Sequence, residues 1–197
     1  MRAPQQLSKE SMKKIVILAA ACTLLAGAAQ AQQAASPSPL YGELGYTHLD
    51  FKDSGTDAHP GMLRGIVGYD LHPHVAVEGM LAFGVRKGNV SGSVAGIPFS
   101  GELKVRHSFG LFVKPKADLG DFELFARLGW AQTKVRTSVT VLGATFSDTA
   151  SDSDFAYGAG LNWKFSQNAY VGFDLMRYYD KDGARVNGTA LSIGTRW

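Results

Sequence analysis

The side chains able to do acid-base, nucleophilic or metal chemistry are five histidines, twenty Lys and Arg, seventeen Asp and Glu and one cysteine. Their spacing argues against most of that chemistry. A hydrolytic site needs an imidazole within hydrogen-bond reach of a hydroxyl. His107 lies next to Ser108 in Arg106-His107-Ser108, but neighbouring residues of a strand point to opposite faces and cannot share a proton. His48, His59, His72 and His74 fall at strand ends or turns, and His72 and His74 flank Pro73 as turn residues do. No catalytic set, cofactor site or metal site is expected. Cys22 lies in the N-terminal apolar segment, so no disulfide or thiolate chemistry is expected beyond it.

The charged residues follow a different rule, alternation with period two, which is the signature of strands. From Glu102 to Lys114, Leu103, Val105, His107, Phe109, Leu111 and Val113 share one face; Lys104, Arg106, Ser108 and Lys114 share the other. The same split recurs over Leu40–Phe51, Met62–Leu71, Val75–Val85, Phe122–Gln132, Asp154–Phe165, Ala169–Tyr179 and Thr189–Trp197. That makes eight strands, each near the roughly 9–11 residues a tilted membrane strand needs. The links alternate too. Short ones lie at His72-Pro73-His74, Pro115–Asp121 and Ser166-Gln167-Asn168, and long ones at 52–61, 86–101, 133–153 and 180–188. Short turns at one end and long loops at the other are the pattern of a transmembrane barrel with both termini in the periplasm. The long stretches 88–101 and 134–151 are rich in Val, Thr and Ser with turn signals at Gly96 and Gly143, and are expected to continue as hairpins.

The N-terminus explains the apparent basicity. Lys13 and Lys14 precede an apolar run from Ile15 to Ala29, and Ala29-Gln30-Ala31 is a small-residue cleavage motif. Residues 1–31 therefore read as a secretory signal peptide, with Met12 as the natural start. A lipoprotein cleavage before Cys22 would cut the apolar run in half and pass over the better site at Ala31. Without the presequence, sixteen basic and sixteen acidic residues remain, so the pI near 9.0 is no argument for nucleic-acid binding. Residues 32–39 form a short lead-in, and 40–197 one domain.

A soluble lipocalin-type barrel also alternates, with its apolar face inward. Two features favour the inverted, membrane form. Aromatic residues of the apolar face collect at strand ends, with Tyr69, Phe122, Trp163, Phe165 and Trp197 at one end and Tyr46, Phe83, Trp130, Phe155 and Tyr179 at the other. Rings of this kind prefer the two membrane interfaces. The last strand alternates Leu191, Ile193 and Thr195 up to a terminal Trp197, which resembles the C-terminal signal read by the barrel-assembly machinery. With Tyr41-Gly42-Glu43-Leu44-Gly45-Tyr46, Gly65-Ile66-Val67-Gly68-Tyr69 and Val77-Glu78-Gly79, the region from Leu40 to Trp197 resembles the outer-membrane β-barrel family that includes the OmpA transmembrane domain and OmpX-type proteins. The expected fold is thus all-β, an eight-stranded antiparallel up-and-down transmembrane barrel.

Eight strands leave a lumen that side chains can fill. Inward Glu43, Arg64, Glu78, Lys104, Arg106, Glu123, Arg127, Lys164, Asp174 and Arg196 mix both signs, and dry unpaired charges are costly, so an ion-pair network is expected there. Outward Arg177 and His107 break the alternation; Arg177 can snorkel toward lipid phosphates. The resemblance implies outer-membrane lipid, lipopolysaccharide and the assembly machinery as partners, with no nucleic acid and a monomeric state. It leaves open a structural or surface-interaction role carried by four extracellular loops, or a small channel for ions or apolar solutes. A lipid A-modifying enzyme is disfavoured by the facing of His107 and Ser108.

Overall fold

The computed structural model describes residues 38–53, 56–94, 97–141, 144–181 and 184–197. The signal-peptide reading, with Met12, Ala29 and Ala31, lies outside the described residues, as do most of the lead-in and the turns at Gly96 and Gly143. The strands are β1 (Leu40–Asp53), β2 (Thr56–Ala58), β3 (Gly61–His72), β4 (Val75–Arg86), β5 (Gly88–Val94), β6 (Ile97–Leu119), β7 (Phe122–Val141), β8 (Ala144–Lys164), β9 (Ala169–Lys181) and β10 (Ala184–Arg196). Eight of them form a closed antiparallel barrel in chain order, sealed by β1 against β10 from Tyr41 opposite Arg196 to Lys52 opposite Arg185. β2 adds to β1 and β5 to β6, both at the end of the long loops. Among the described residues no helix is long and apolar enough to cross a membrane, which leaves crossing to the strands.

The expected hairpins are present and long. β6, β7 and β8 run 23, 20 and 21 residues, and β7 stays paired to β8 from Phe122 opposite Trp163 to Val141 opposite Ala144. The link read at Pro115–Asp121 is shorter than expected. Pro115 has no N–H to donate, so its pairing with β7 lapses, but Lys116 resumes opposite Phe125 in the same register and β6 continues to Leu119. The turn itself is Gly120-Asp121, where Gly120 takes a left-handed φ of 77° and donates its N–H to Asp118 Oδ1 at 3.1 Å.

The barrel is inside-out relative to a soluble protein. Leu111 is 71% exposed and Trp130 64%, whereas Arg127 is 1% exposed and Lys114 0%. Nine of the ten aromatics expected at strand ends stand on the outer face, with Trp130 edge-on to Phe155 at 5.5 Å and Trp163 against Phe165 at 6.1 Å. Tyr179, expected outward, is instead turned to the lumen cavity, because β9 carries an extra residue at Tyr178 that sets Tyr179 across from the inward Val186. Inside, the half toward the turn end is polar and the other half apolar. Leu49, Met62, Met80, Val105, Phe112 and Met176 belong to the apolar cluster. Beyond them a cavity of about 570 Å³ opens toward the hairpin end, walled by Phe51, Leu103, Val135 and Val186 with Tyr178 among its lining. Glycines make room for the inner rings: a Cβ at Gly68 would strike Tyr41, its partner across the ladder, and one at Gly194 would strike Tyr170.

Candidate functional site

The polar half of the lumen is packed with ion pairs. Strand alternation delivers Glu43 from β1, Arg64 and Asp70 from β3, Glu78 from β4, Lys114 and Lys116 from β6, Glu123 and Arg127 from β7, Asp174 from β9 and Arg196 from β10. Five acids thus meet five bases. Arg127 is the hub: its Nη2 donates to Glu43 at 2.8 Å, its Nε to Glu78 at 2.5 Å and its Nη1 to Asp174 at 2.9 Å. Arg64 grips the same Asp174 with both guanidinium nitrogens and also donates to the Tyr178 hydroxyl at 3.1 Å.

Toward the turn end, Lys114 Nζ sits 3.7, 3.5 and 3.3 Å from Glu43, Glu78 and Glu123, and 4.3 Å from the centre of the Phe125 ring. It makes no directed hydrogen bond among the described residues, so its charge is held by surrounding negative charge and a ring face. Asp70 closes that end, accepting from Lys116 at 2.6 Å and Arg196 at 2.5 Å, while Arg196 also reaches Glu123 at 3.1 Å. Tyr41 donates to Glu78 at 2.7 Å and Tyr170 to Glu43 at 3.0 Å.

Lys104 and Arg106 are not part of this network. A bulge in β6 sets Val105 opposite Val135 and His107 opposite Lys134, leaving Arg106 as the extra residue. One inserted residue reverses every side chain beyond it. Val105 is therefore buried in the lumen and Leu103 faces the cavity, while Lys104 and Arg106 are exposed on the outer wall. Lys104 stands opposite Arg136 there. Lys164 lies at the turn-end rim and binds Asp118 at 2.7 Å, a contact whose hydrogen bond holds the exposed Asp118 carboxyl below its ordinary range.

Alternation could have found the missing lumen groups. Tyr41 is in phase with Glu43, Tyr170 with Asp174, and Asp70 with Arg64; Lys116 was hidden by the proline before it. His107 and Ser108 do face opposite sides: the imidazole is outward, and Ser108 Oγ, buried, contacts Thr133 Oγ1 at 2.8 Å and donates to Gln132 O at 3.0 Å. The imidazole cannot take that hydroxyl's proton. Outward Arg177 is neutralised by Asp180 at 2.9 Å and bonds Asn187 at 3.1 Å. Leu191 and Ile193 are exposed on the outer face of β10, and Trp197 covers Gly42.

An inverted, closed barrel of eight strands has its counterpart among known proteins: the family described as outer membrane protein beta-barrel domain matches residues 18–197. The chain belongs to that family. It is an outer-membrane β-barrel protein, which places it in the bacterial outer membrane. A comparison with curated proteins found no match.

Among solved structures the barrel is similar to Ail, the attachment invasion locus protein of Yersinia pestis, at 20% identity and a TM-score of 0.58, covering 81% of this chain and 99% of that one. Ail in complex with the heparin analogue sucrose octasulfate is similar at 17% identity and a TM-score of 0.56, with coverage of 80% and 97%. Neisserial surface protein A is similar at 12% identity and a TM-score of 0.55, with coverage of 83% and 100%. These likenesses are of fold. In barrels of this family the short turns are periplasmic and the long loops extracellular. On that frame the ion-pair plug of the outer-membrane barrel lies in the periplasmic half of the lumen, and the cavity opens to the outside.

Proposed function

We propose that this barrel acts at the cell surface through its extracellular hairpins, as a structural and adhesion-type interaction protein, and not by conduction. The observation that carries the reading is the lumen: five acids, five bases and the Tyr41 and Tyr170 hydroxyls bonded to them fill its periplasmic half. Opening a path would mean separating several buried charges, each at a cost of a few kcal/mol. The β7–β8 hairpin, by contrast, extends well past the girdle at Trp130 and Phe155 and offers paired strands to a ligand. Because Ail has been solved with a heparin analogue, a sulfated glycan is the first ligand to try here.

The test has two arms. In planar bilayers the refolded protein is expected to give no stable conductance steps; clear, reproducible steps would move the reading to the channel for ions or apolar solutes. Bacteria displaying the protein are expected to attach to an immobilised sulfated glycan or extracellular-matrix protein. Replacing residues 136–149 by Asn-Gly, a short turn between Val135 and Ala150, is expected to keep the heat-modifiable gel shift of a folded barrel while losing attachment. Attachment undiminished in that variant would locate binding elsewhere.

Lipopolysaccharide is the proposed lipid partner. Lys104 opposite Arg136, and His107 opposite Lys134, place bases directly across the ladder on the outer wall. Like charges in such positions repel unless an anion lies between them, and the phosphates of lipopolysaccharide are such anions. Lipopolysaccharide in the refolding vesicles is expected to raise the urea midpoint, and K104Q/R106Q/R136Q to abolish that rise. An equal rise in the variant would remove these residues from the contact. Export by the presequence cleaved after Ala31, delivery to the assembly machinery by Leu191, Ile193 and Trp197, and a monomeric state complete the proposal.

A further inference from the structure

The register of the first extracellular hairpin brings two imidazoles and a carboxylate together on the outer wall. β2 pairs with β1 at Phe51 opposite Ala58, β3 pairs with β1 at His48 opposite Gly61, and the two registers are continuous. Between them Leu49 N donates to Pro60 O at 3.0 Å. Continuing that ladder sets His59 opposite Asp50. His48, two residues before Asp50 on β1, shares its face.

The side chains converge accordingly. His59 Nδ1 lies 2.7 Å from Asp50 Oδ1, and His48 Nε2 lies 3.8 Å from the same oxygen. The two rings are nearly parallel, 14° apart, with centroids 5.7 Å from one another. One ligand atom from each residue falls within 4.8 Å of the others. This convergence was not visible in the separate positions of the histidines, because it depends on which residue of the loop ends up across from Asp50.

We propose that His48, Asp50 and His59 form a binding site for a borderline divalent transition ion, Zn2+ or Cu2+, at the extracellular end of the barrel. Around a tetrahedral ion bound at roughly 2.0–2.2 Å, ligand atoms stand about 3.3–3.6 Å apart, a spacing between the two distances to Asp50. Two imidazoles favour Zn2+ and Cu2+ over Ca2+ and Mg2+, which take all-oxygen shells. The three side chains keep roughly a third to a half of their surface exposed, 42% for His48, 36% for Asp50 and 52% for His59. An ion can therefore enter from the medium, and its fourth position is left to water or to a group on a binding partner. The bound ion ties β1 to the chain just before β3 and so fixes the base of the first loop. The pair His72 and His74 at the opposite end is not equivalent. Its rings are tilted by 45°, His72 Nδ1 is 3.3 Å from His74 N as a hydrogen-bond acceptor, and no carboxylate completes a group there among the described residues.

The experiment is calorimetric titration of ZnCl2 into the refolded full barrel, prepared without a polyhistidine tag, alongside Cu2+ electron paramagnetic resonance. One ion per barrel and hyperfine coupling from two nitrogens are expected. His48→Gln and His59→Gln are each expected to weaken binding at least about tenfold, the double variant to abolish it, and H72Q/H74Q to leave it unchanged. Each variant is checked for folding by its heat-modifiable mobility. The site is disproved if the wild-type barrel binds neither ion at millimolar concentration, or if binding survives in the His48/His59 double variant.

Discussion

Arg127→Met is expected to destabilise the barrel by about 3–5 kcal/mol, the range for removing one partner of a buried ion cluster. The size follows from what the guanidinium holds. Its three nitrogens satisfy Glu43, Glu78 and Asp174, which come from three different strands, and all four side chains are buried. Methionine fills much of the volume and satisfies none of the three carboxylates. Lys114 and Arg64 remain, but they already serve Glu123 and Tyr178 as well as the shared acids. The measurement is urea unfolding in vesicles, read by the mobility of the unboiled barrel. Adding Glu78→Gln to Arg127→Met is expected to recover part of the loss, because it removes one of the stranded charges. The two effects should then be strongly non-additive. A wild-type midpoint for the single variant would mean that the cluster occupies the lumen without locking it.

The periodicity of eight segments, their outward aromatics and the alternation of link lengths carried the architecture, because burial on one face repeats every second residue and is local information. Whether Glu43, Arg64, Glu78, Glu123, Arg127, Asp174 and Arg196 face the lumen is decided by the same phase. Lys104 and Arg106 went astray for a reason that phase cannot supply. Arg106 is the extra residue of a bulge and Lys104 lies beyond it, and the bulge is defined only against β7, with Val105 across from Val135 and His107 across from Lys134. Lys116 was lost to a proline that ends most strands but interrupts this one only on its β7 side. The group His48, Asp50 and His59 was illegible for a third reason: a loop's pairing partner is a tertiary fact, whereas His48 and Asp50 sharing a face was already local. For Lys104, Arg106 and the histidine group the missing information was register between strands.

Register also determines which apolar side chains meet lipid, and Leu111→Arg tests that face directly. Leu111 lies between Phe109 and Val113 on the outward side of β6, 71% exposed, with Gly79 and Trp130 as its ladder partners. In a soluble barrel such an exposed position would accept arginine at almost no cost. At the bilayer midplane the same change costs about 2–4 kcal/mol, falling to about 0–1 near the interfaces, and Leu111, across from the girdle residue Trp130, falls between those limits. Arg177 shows how the native chain manages an outward guanidinium, near the extracellular end of its strand with Asp180 beside it; Leu111 lies four residues deeper than His107 and has no acid across the ladder, its partners being Gly79 and Trp130. His107→Arg supplies the matched comparison, since it stands on the same strand and face but at the extracellular edge, across from Lys134. The expected result is a urea midpoint clearly lowered by Leu111→Arg and nearly unchanged by His107→Arg, measured in vesicles of one lipid composition. Equal midpoints for the two variants would contradict a lipid-facing β6, because the Lys134 across from His107 already disfavours a new charge there and only depth can make Leu111→Arg the costlier change.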